Sequence, residues 1–290
     1  MSSLIGQVSH ISDQALRWLN SQTSMSRPAR HALAALAPSL LAQVPQQHVA
    51  SIAIAGPPGS GKSTLAGLLT FLLNESGRPA VLLSLDDYYL DRQHRDALAR
   101  SHHALLQRRG VPGTHDWPRL LHDFDCLRQG RTKGLRLSVF DKSADDIAPA
   151  SCWRSIGFSP SCLIVEGWCI GAPAQDAAAL LQPVNELERL QDPQGSWRHF
   201  VNAQLARYYS DLEHRIDRFW YLHAPGWDRV IDWRWQQEQE LAHPLWHSRV
   251  EVAAFLATFE RIAGHMQKTS AAWADWRLRA DSLHRLEIMQ

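Results

Sequence analysis

The stretch SIAIAGPPGSGKSTLAGLL, Ser51 to Leu69, decides how the chain is read. A β-type apolar run, Val49 to Ala55, enters a loop of small residues, and a helical pattern runs from Ser63 to Asn74. Gly56-Pro57-Pro58-Gly59-Ser60-Gly61-Lys62-Ser63 fits G-x-x-x-x-G-K-[ST] in full, with Thr64 behind it. Glycines let the backbone turn its N–H groups inward around phosphate oxygens, and the following helix adds its positive dipole end. In such a loop Lys62 binds β- and γ-phosphates and the Ser63 hydroxyl binds Mg²⁺. ATP and Mg²⁺ are the expected ligands. The loop alone leaves the reaction open.

Working outward, short apolar runs recur at AVLLSL (Ala80 to Leu85), CLIVEGW (Cys162 to Trp168) and FWYLHAP from Phe219, and RLRADSLHRL holds a last strand. Val230 to Ala242 and Val250 to Met266 read as helices. Strands separated by helices predict an α/β fold of P-loop NTPase type. It is a doubly wound, mainly parallel sheet with helices on both faces and a helical lid. Ligands in such sheets lie beyond the C-terminal strand ends. The loop after Ala55, Asp86-Asp87 and Glu166 all fall there. Residues 1–48 read as a helical N-terminal extension, and 49–290 as one P-loop domain. Within that domain lie a polar, substrate-binding insertion at about 90–160 and a lid at about 226–245.

Composition narrows the class. The 290 residues carry 30 basic and 29 acidic side chains, so no global field favours nucleic acid or an acidic membrane. No run of apolar residues is long enough to span a bilayer, and MSSLIGQVSHISDQ lacks the pattern of a signal peptide. Cys126, Cys152, Cys162 and Cys169 form no C-x-x-C pair, and the expectation is reduced thiols in a cytoplasmic protein. The His102-His103 pair lacks further ligands at metal spacing. The expected partner is a small hydroxylated molecule; oligomeric state is unreadable.

The rest of the site separates reaction classes. A guanine-reading N-K-x-D motif is absent. A small-molecule kinase needs a carboxylate beside the acceptor hydroxyl, a metal-side acid and mobile cations over the γ-phosphate. VLLSLDDYYL supplies Asp86, 24 residues after Lys62. Asp86 is favoured as the base that orients and deprotonates the acceptor, with Glu166 of CLIVEG on the metal side. The reversed assignment and a simple helix cap stay open.

SLDDYYL, RRGVPGTHDWPRL, FDKSADDI, IVEGWCIGAP and DWRWQQEQEL occur in this order. Together they resemble the glycerate kinase family of P-loop kinases, related more distantly to uridine kinase, phosphoribulokinase and pantothenate kinase. The resemblance covers about residues 49–285 and implies ATP-dependent phosphorylation of D-glycerate to 3-phosphoglycerate. By position it gives Asp86 the role of base and Arg234 that of a lid cation at the transferring phosphate. It places Asp87, Tyr89, Arg109, Thr114, His115, Asp116 and Lys142 around the acceptor. Structural alternatives stand beside these roles: solvated cations at Arg109 and Lys142, turn residues at His115 and Asp116, and an i, i+4 pair of Arg234 with Glu238. In the family DKS leads into a glycine- and arginine-bearing run. Here ADDIAPASCW follows, which leaves a nucleoside, a pantothenate-like compound or a sugar acid open as acceptor. A nucleotide-binding regulatory protein without acceptor turnover is the reading from another class.

Overall fold

The computed structural model describes residues 2–22, 25–46, 49–241 and 244–289. Two helices come first, α1 (Ser2–Gln22) and α2 (Arg27–Ala42). Ser26 caps α2 by accepting the Ala29 N–H at 3.4 Å, and Pro28 sits in the first turn, where a missing donor is harmless. Next come β1 (Ala50–Ala55), the glycine-rich loop, α3 (Lys62–Glu75) and β2 (Ala80–Ser84). The strand expected to reach Leu85 ends at Ser84, because Leu85–Tyr88 winds into a 3₁₀ turn that carries Asp86 and Asp87.

The insertion holds α4 (Arg92–Ser101) and α5 (Trp117–Arg128). Four two-residue strands follow: β3 (Arg136–Leu137), β4 (Phe140–Asp141), β5 (Asp146–Ile147) and β6 (Arg154–Ser155). β3 pairs with β6 and β4 with β5, both antiparallel. The chain then runs through β7 (Cys162–Gly167), α6 (Glu186–Gln191), α7 (Ser196–Glu213), β8 (Arg218–His223), α8 (Trp227–Gln239) and α9 (Arg249–Trp273). The helix expected through Ala242 stops at Gln239, and Ala242 itself lies outside the described residues. The single strand expected near the end is a hairpin of β9 (Trp276–Ala280) and β10 (Leu286–Ile288). Asp281 folds its turn by accepting the N–H groups of Leu283 and Arg285.

The main sheet has the order β10-β9-β8-β1-β7-β2, parallel except for β10. β1 and β7 are buried along their whole length, as strands covered by helices on both faces must be. Their C-terminal ends, with that of β2, bring the loop after Ala55, Glu166 and Ser84 to one edge. α1 and α2 pack on α3, and α2 also packs on β10. The contact is close: a Cβ at Gly67 would meet the Trp18 ring at 3.0 Å, and Trp18 stacks on Phe71 at 6.0 Å. Of the expected extension, Met1, Thr23, Ser24, Gln47 and His48 lie outside the described residues. No described helix is long and apolar enough to cross a membrane. All four cysteines are free.

Candidate active site

Close neighbours crowd the loop at Gly56 and Gly59. A Cβ at Gly56 would come 2.8 Å from the Ser60 Oγ, and one at Gly59 would come 3.0 Å from the Trp233 Cβ on α8. Gly59 and Gly61 hold φ of +76° and +88°, the left-handed region that glycine enters freely. Gly61 caps α3, Lys62 is its first residue, and Ser63 and Thr64 complete the first turn, whose N–H groups have no helical acceptor. Pro57 closes the bend by accepting the Ser60 N–H at 3.2 Å. The buried Ser60 Oγ has no hydrogen-bond partner among the described residues.

Opposite the loop, Pro58, Lys62, Asp86, Tyr89, Arg109, Lys142 and Arg234 line one cavity of about 110 Å³. Trp168, Trp246, Phe255 and Phe259 form its apolar wall. Asp86 is the centre of its polar side. The Tyr89 hydroxyl donates to Asp86 Oδ1 at 2.8 Å and the Lys142 ammonium to Oδ2 at 2.6 Å. Burial opposes the charge on Asp86, but Lys142 and Lys62 outweigh it and hold the carboxyl well below the usual range. Burial, reinforced by Asp86, pushes the Tyr89 phenol well above its ordinary value, so it stays a donor.

Glu166 sits near the end of β7 with 4% of its surface exposed. The cross-strand Ser84 hydroxyl donates to its Oε1 at 2.5 Å, and its buried Oε2 has no partner among the described residues. Burial raises its pKa, and the Lys62 charge opposes that rise. An orphaned carboxylate oxygen beside the phosphate loop suits a hydrated Mg²⁺, which takes one or two protein oxygens and keeps water and phosphate for the rest. No cluster of three metal-ligating side chains occurs among the described residues; the donor set therefore fits a nucleotide-borne ion rather than a cage.

Arg234, on α8, pairs with the buried Glu238 at 2.6 Å, the i, i+4 contact foreseen for an exposed helix. The pair is interior, however, and the guanidinium lies 5.0 Å from the Trp246 ring centre. Glu238 Oε1 also accepts the N–H groups of Leu245 and Trp246, which ties the following loop to α8. Arg109 is a cavity residue whose guanidinium is bonded to Asp145.

Four of the residues expected around the acceptor are occupied elsewhere. Thr114 is fully buried, bonding Gly110 N and Val111 O to close the turn. Asp116 caps α5 by accepting the Arg119 N–H at 3.2 Å. Asp87 accepts the Phe140 N–H at 3.4 Å, and burial raises its pKa. His115 stacks on Tyr89 at 4.7 Å behind the cavity, its pKa depressed by burial to about 3. Their types suit either role; long-range packing decides between them.

No motif marks His284. From the β9–β10 turn its Nε2 lies 2.9 Å from the Gly59 carbonyl, and its ring is 4.1 Å from that of Trp233. Together with Gly59, Thr64, Met25 and Leu33 these rings line a second cavity, about 450 Å³, on the other flank of the loop. Ser84 and Asp145 were equally silent, because their partners Glu166 and Arg109 lie far away in sequence.

No protein-family profile matches the chain. Among solved structures, D-glycerate 3-kinase from Cryptococcus neoformans superposes with a TM-score of 0.67 over 99% of both chains at 21% identity, which shows the shared fold. The chloroplastic D-glycerate 3-kinase of Arabidopsis thaliana is 28% identical over 195 residues, 64% of this chain and 40% of that protein. The uncharacterized kinase mug58 of Schizosaccharomyces pombe is 32% identical over 197 residues, 66% of this chain and 70% of its own length. The chain belongs to the glycerate kinase family of P-loop kinases. As a P-loop kinase it moves a phosphoryl group from ATP to a small molecule.

Proposed function

We propose that this P-loop kinase transfers the γ-phosphoryl group of ATP to a hydroxyl of a small hydroxy acid, D-glycerate first, giving 3-phosphoglycerate. The carrying observation is Asp86, ionised and hydrogen-bonded, in a cavity shared with Lys62, Arg109, Lys142 and Arg234. A carboxylate for the hydroxyl and fixed cations for an acid and a migrating phosphoryl group are the parts such a reaction needs. The small volume, about 110 Å³, suits a three-carbon acceptor.

Triphosphate binding falls to Lys62 and the backbone of residues 56–64, with the base in the 450 Å³ cavity beside Trp233 and His284. Ser63 and Glu166 would hold Mg²⁺, whose charge neutralises the β- and γ-phosphate oxygens. Asp86 accepts the hydrogen bond of the acceptor hydroxyl and takes its proton as the oxygen bonds to the γ-phosphorus. The bond to the β–γ bridging oxygen breaks, and that oxygen leaves on ADP. Arg234 faces the transferring group, and α8 with the loop it holds through Glu238 acts as the lid that keeps water out.

Measuring ADP release across hydroxy acids, nucleosides and vitamins tests the acceptor. D-glycerate should show the highest kcat/KM. Strong turnover of another compound, with D-glycerate inert, overturns the choice. ATP binding without turnover of any acceptor favours the regulatory reading instead.

A further inference from the structure

Three cations at the acceptor cavity already hold carboxylates: Lys142 holds Asp86, Arg234 holds Glu238, and Arg109 holds Asp145. An acid acceptor must therefore take a cation from one of them. Asp86 is the base, and Glu238 is fully buried and anchors backbone N–H groups. Asp145 differs from both. It lies in the turn between β4 and β5, a third of its side chain is exposed, and its φ is +54°. It also has other guanidinium neighbours: Arg95, nearly fully buried, at 3.0 Å and Arg92 at 3.9 Å.

We propose that Asp145 holds the place of the acceptor's carboxylate on Arg109, and that the acid substrate binds by exchanging with it. When Arg109 is released, Asp145 keeps Arg95 and Arg92, so no carboxylate is stranded in a half-buried site, which is the usual penalty for breaking such a pair. Arg95 is fixed for this role by the carbonyls of Leu90 and Gln107 at 3.1 Å and of Asp145 at 2.6 Å. Arg109 is held in the cavity by more than Asp145, since it lies 5.4 Å from the Phe140 ring centre and donates to the Lys142 carbonyl at 3.4 Å. The same four-residue turn thus sends Lys142 to Asp86 and Asp145 to Arg109. Asp145 is a specificity-determining residue: its competition sets how strong an anion the acceptor must be. The assignment rests on the acid-acceptor reading above.

Calorimetric titration of D-glycerate and of neutral glyceramide into the full chain tests it, using the wild type, Asp145→Asn, Arg109→Ala and the double variant. Asparagine keeps a hydrogen-bond acceptor for Arg95 and tolerates the left-handed backbone. Asp145→Asn should tighten D-glycerate binding by about two- to fivefold, the worth of one solvent-accessible ion pair. Glyceramide binding should not change, and the gain should vanish in the Arg109→Ala background. Unchanged or weaker D-glycerate binding overturns the proposal, as does an equal gain without Arg109 or no binding to either protein. Asp145→Gly, suited to the same φ, repeats the test if the asparagine variant melts early. Turnover separates the two readings. If D-glycerate is phosphorylated but its KM does not fall in Asp145→Asn, the exchange fails and the acceptor stands. If the variant tightens D-glycerate that is never phosphorylated, the acceptor fails and the exchange stands.

Discussion

The Lys142 ammonium lies 2.6 Å from Asp86 Oδ2, so the carboxylate proposed to receive the acceptor's proton is already gripped by a cation. That contact keeps Asp86 anionic and weakens it as a base. The two effects are compatible, because the transition state of phosphoryl transfer is loose and the hydroxyl proton leaves late. In the proposed mechanism, orientation of the hydroxyl is then the larger part of what Asp86 would contribute.

Asp86→Asn should lower kcat by about 10²- to 10⁴-fold, the range for loss of a positioned acid–base group. ATP binding, measured by calorimetry, should change little. A variant that instead loses Mg²⁺ dependence or ATP affinity would exchange the roles of Asp86 and Glu166.

Lys62→Ala should weaken ATP binding and turnover together, because one ammonium serves both ground-state phosphates and the migrating group. Full ATP affinity in this variant would place the triphosphate elsewhere.

Gly59→Ala forces a Cβ to within 3.0 Å of Trp233 at a φ of +76°. Strain of this kind costs about 1–3 kcal/mol, and it is relieved by moving the loop or α8. The expected outcome is a lower melting temperature with a raised KM for ATP. Wild-type values for both would mean that α8 yields freely.

Acid should destabilise the fold through its buried histidines. Burial depresses His115 to about 3 and, with Arg277 and Arg279, His223 to about 4, against 6.5 in the unfolded chain. Between those limits the unfolded state binds more protons, so stability falls as pH drops below 6.5. The slope is at most about 1.4 kcal/mol per pH unit for each histidine. Melting temperatures from pH 7 to 5 check this, and His223→Gln should flatten the curve.

Much of the fold was legible because its signals are local. β1, the glycine loop and α3 are adjacent in sequence, and the apolar runs around Leu83, Val165 and Tyr221 announce their own strands. Lys62, Asp86, Tyr89, Arg109, Lys142 and Arg234 meet in one cavity, as their motifs led one to expect. Thr114 and Asp116 read equally well as pocket wall or as turn and cap, since a hydroxyl or carboxylate after Pro-Gly satisfies backbone donors in both settings. Only the packing that buries Thr114 completely separates the two. His284 and Asp145 were out of reach for a different reason: their meaning lies in partners brought by distant elements, and no spacing rule encodes such a meeting.

The contact of His284 with the Gly59 carbonyl spans 225 residues, and β1 is flanked by strands that begin at Cys162 and Arg218. On the ribosome, the strand feeding the phosphate loop emerges with both edges unpaired, and α1, α2 and α3 are its early neighbours. Non-local pairing of this kind is slow to form. The loop that names the family is made early and completed late. The flank of the cradle that His284 closes can form only after residue 284 has been synthesised.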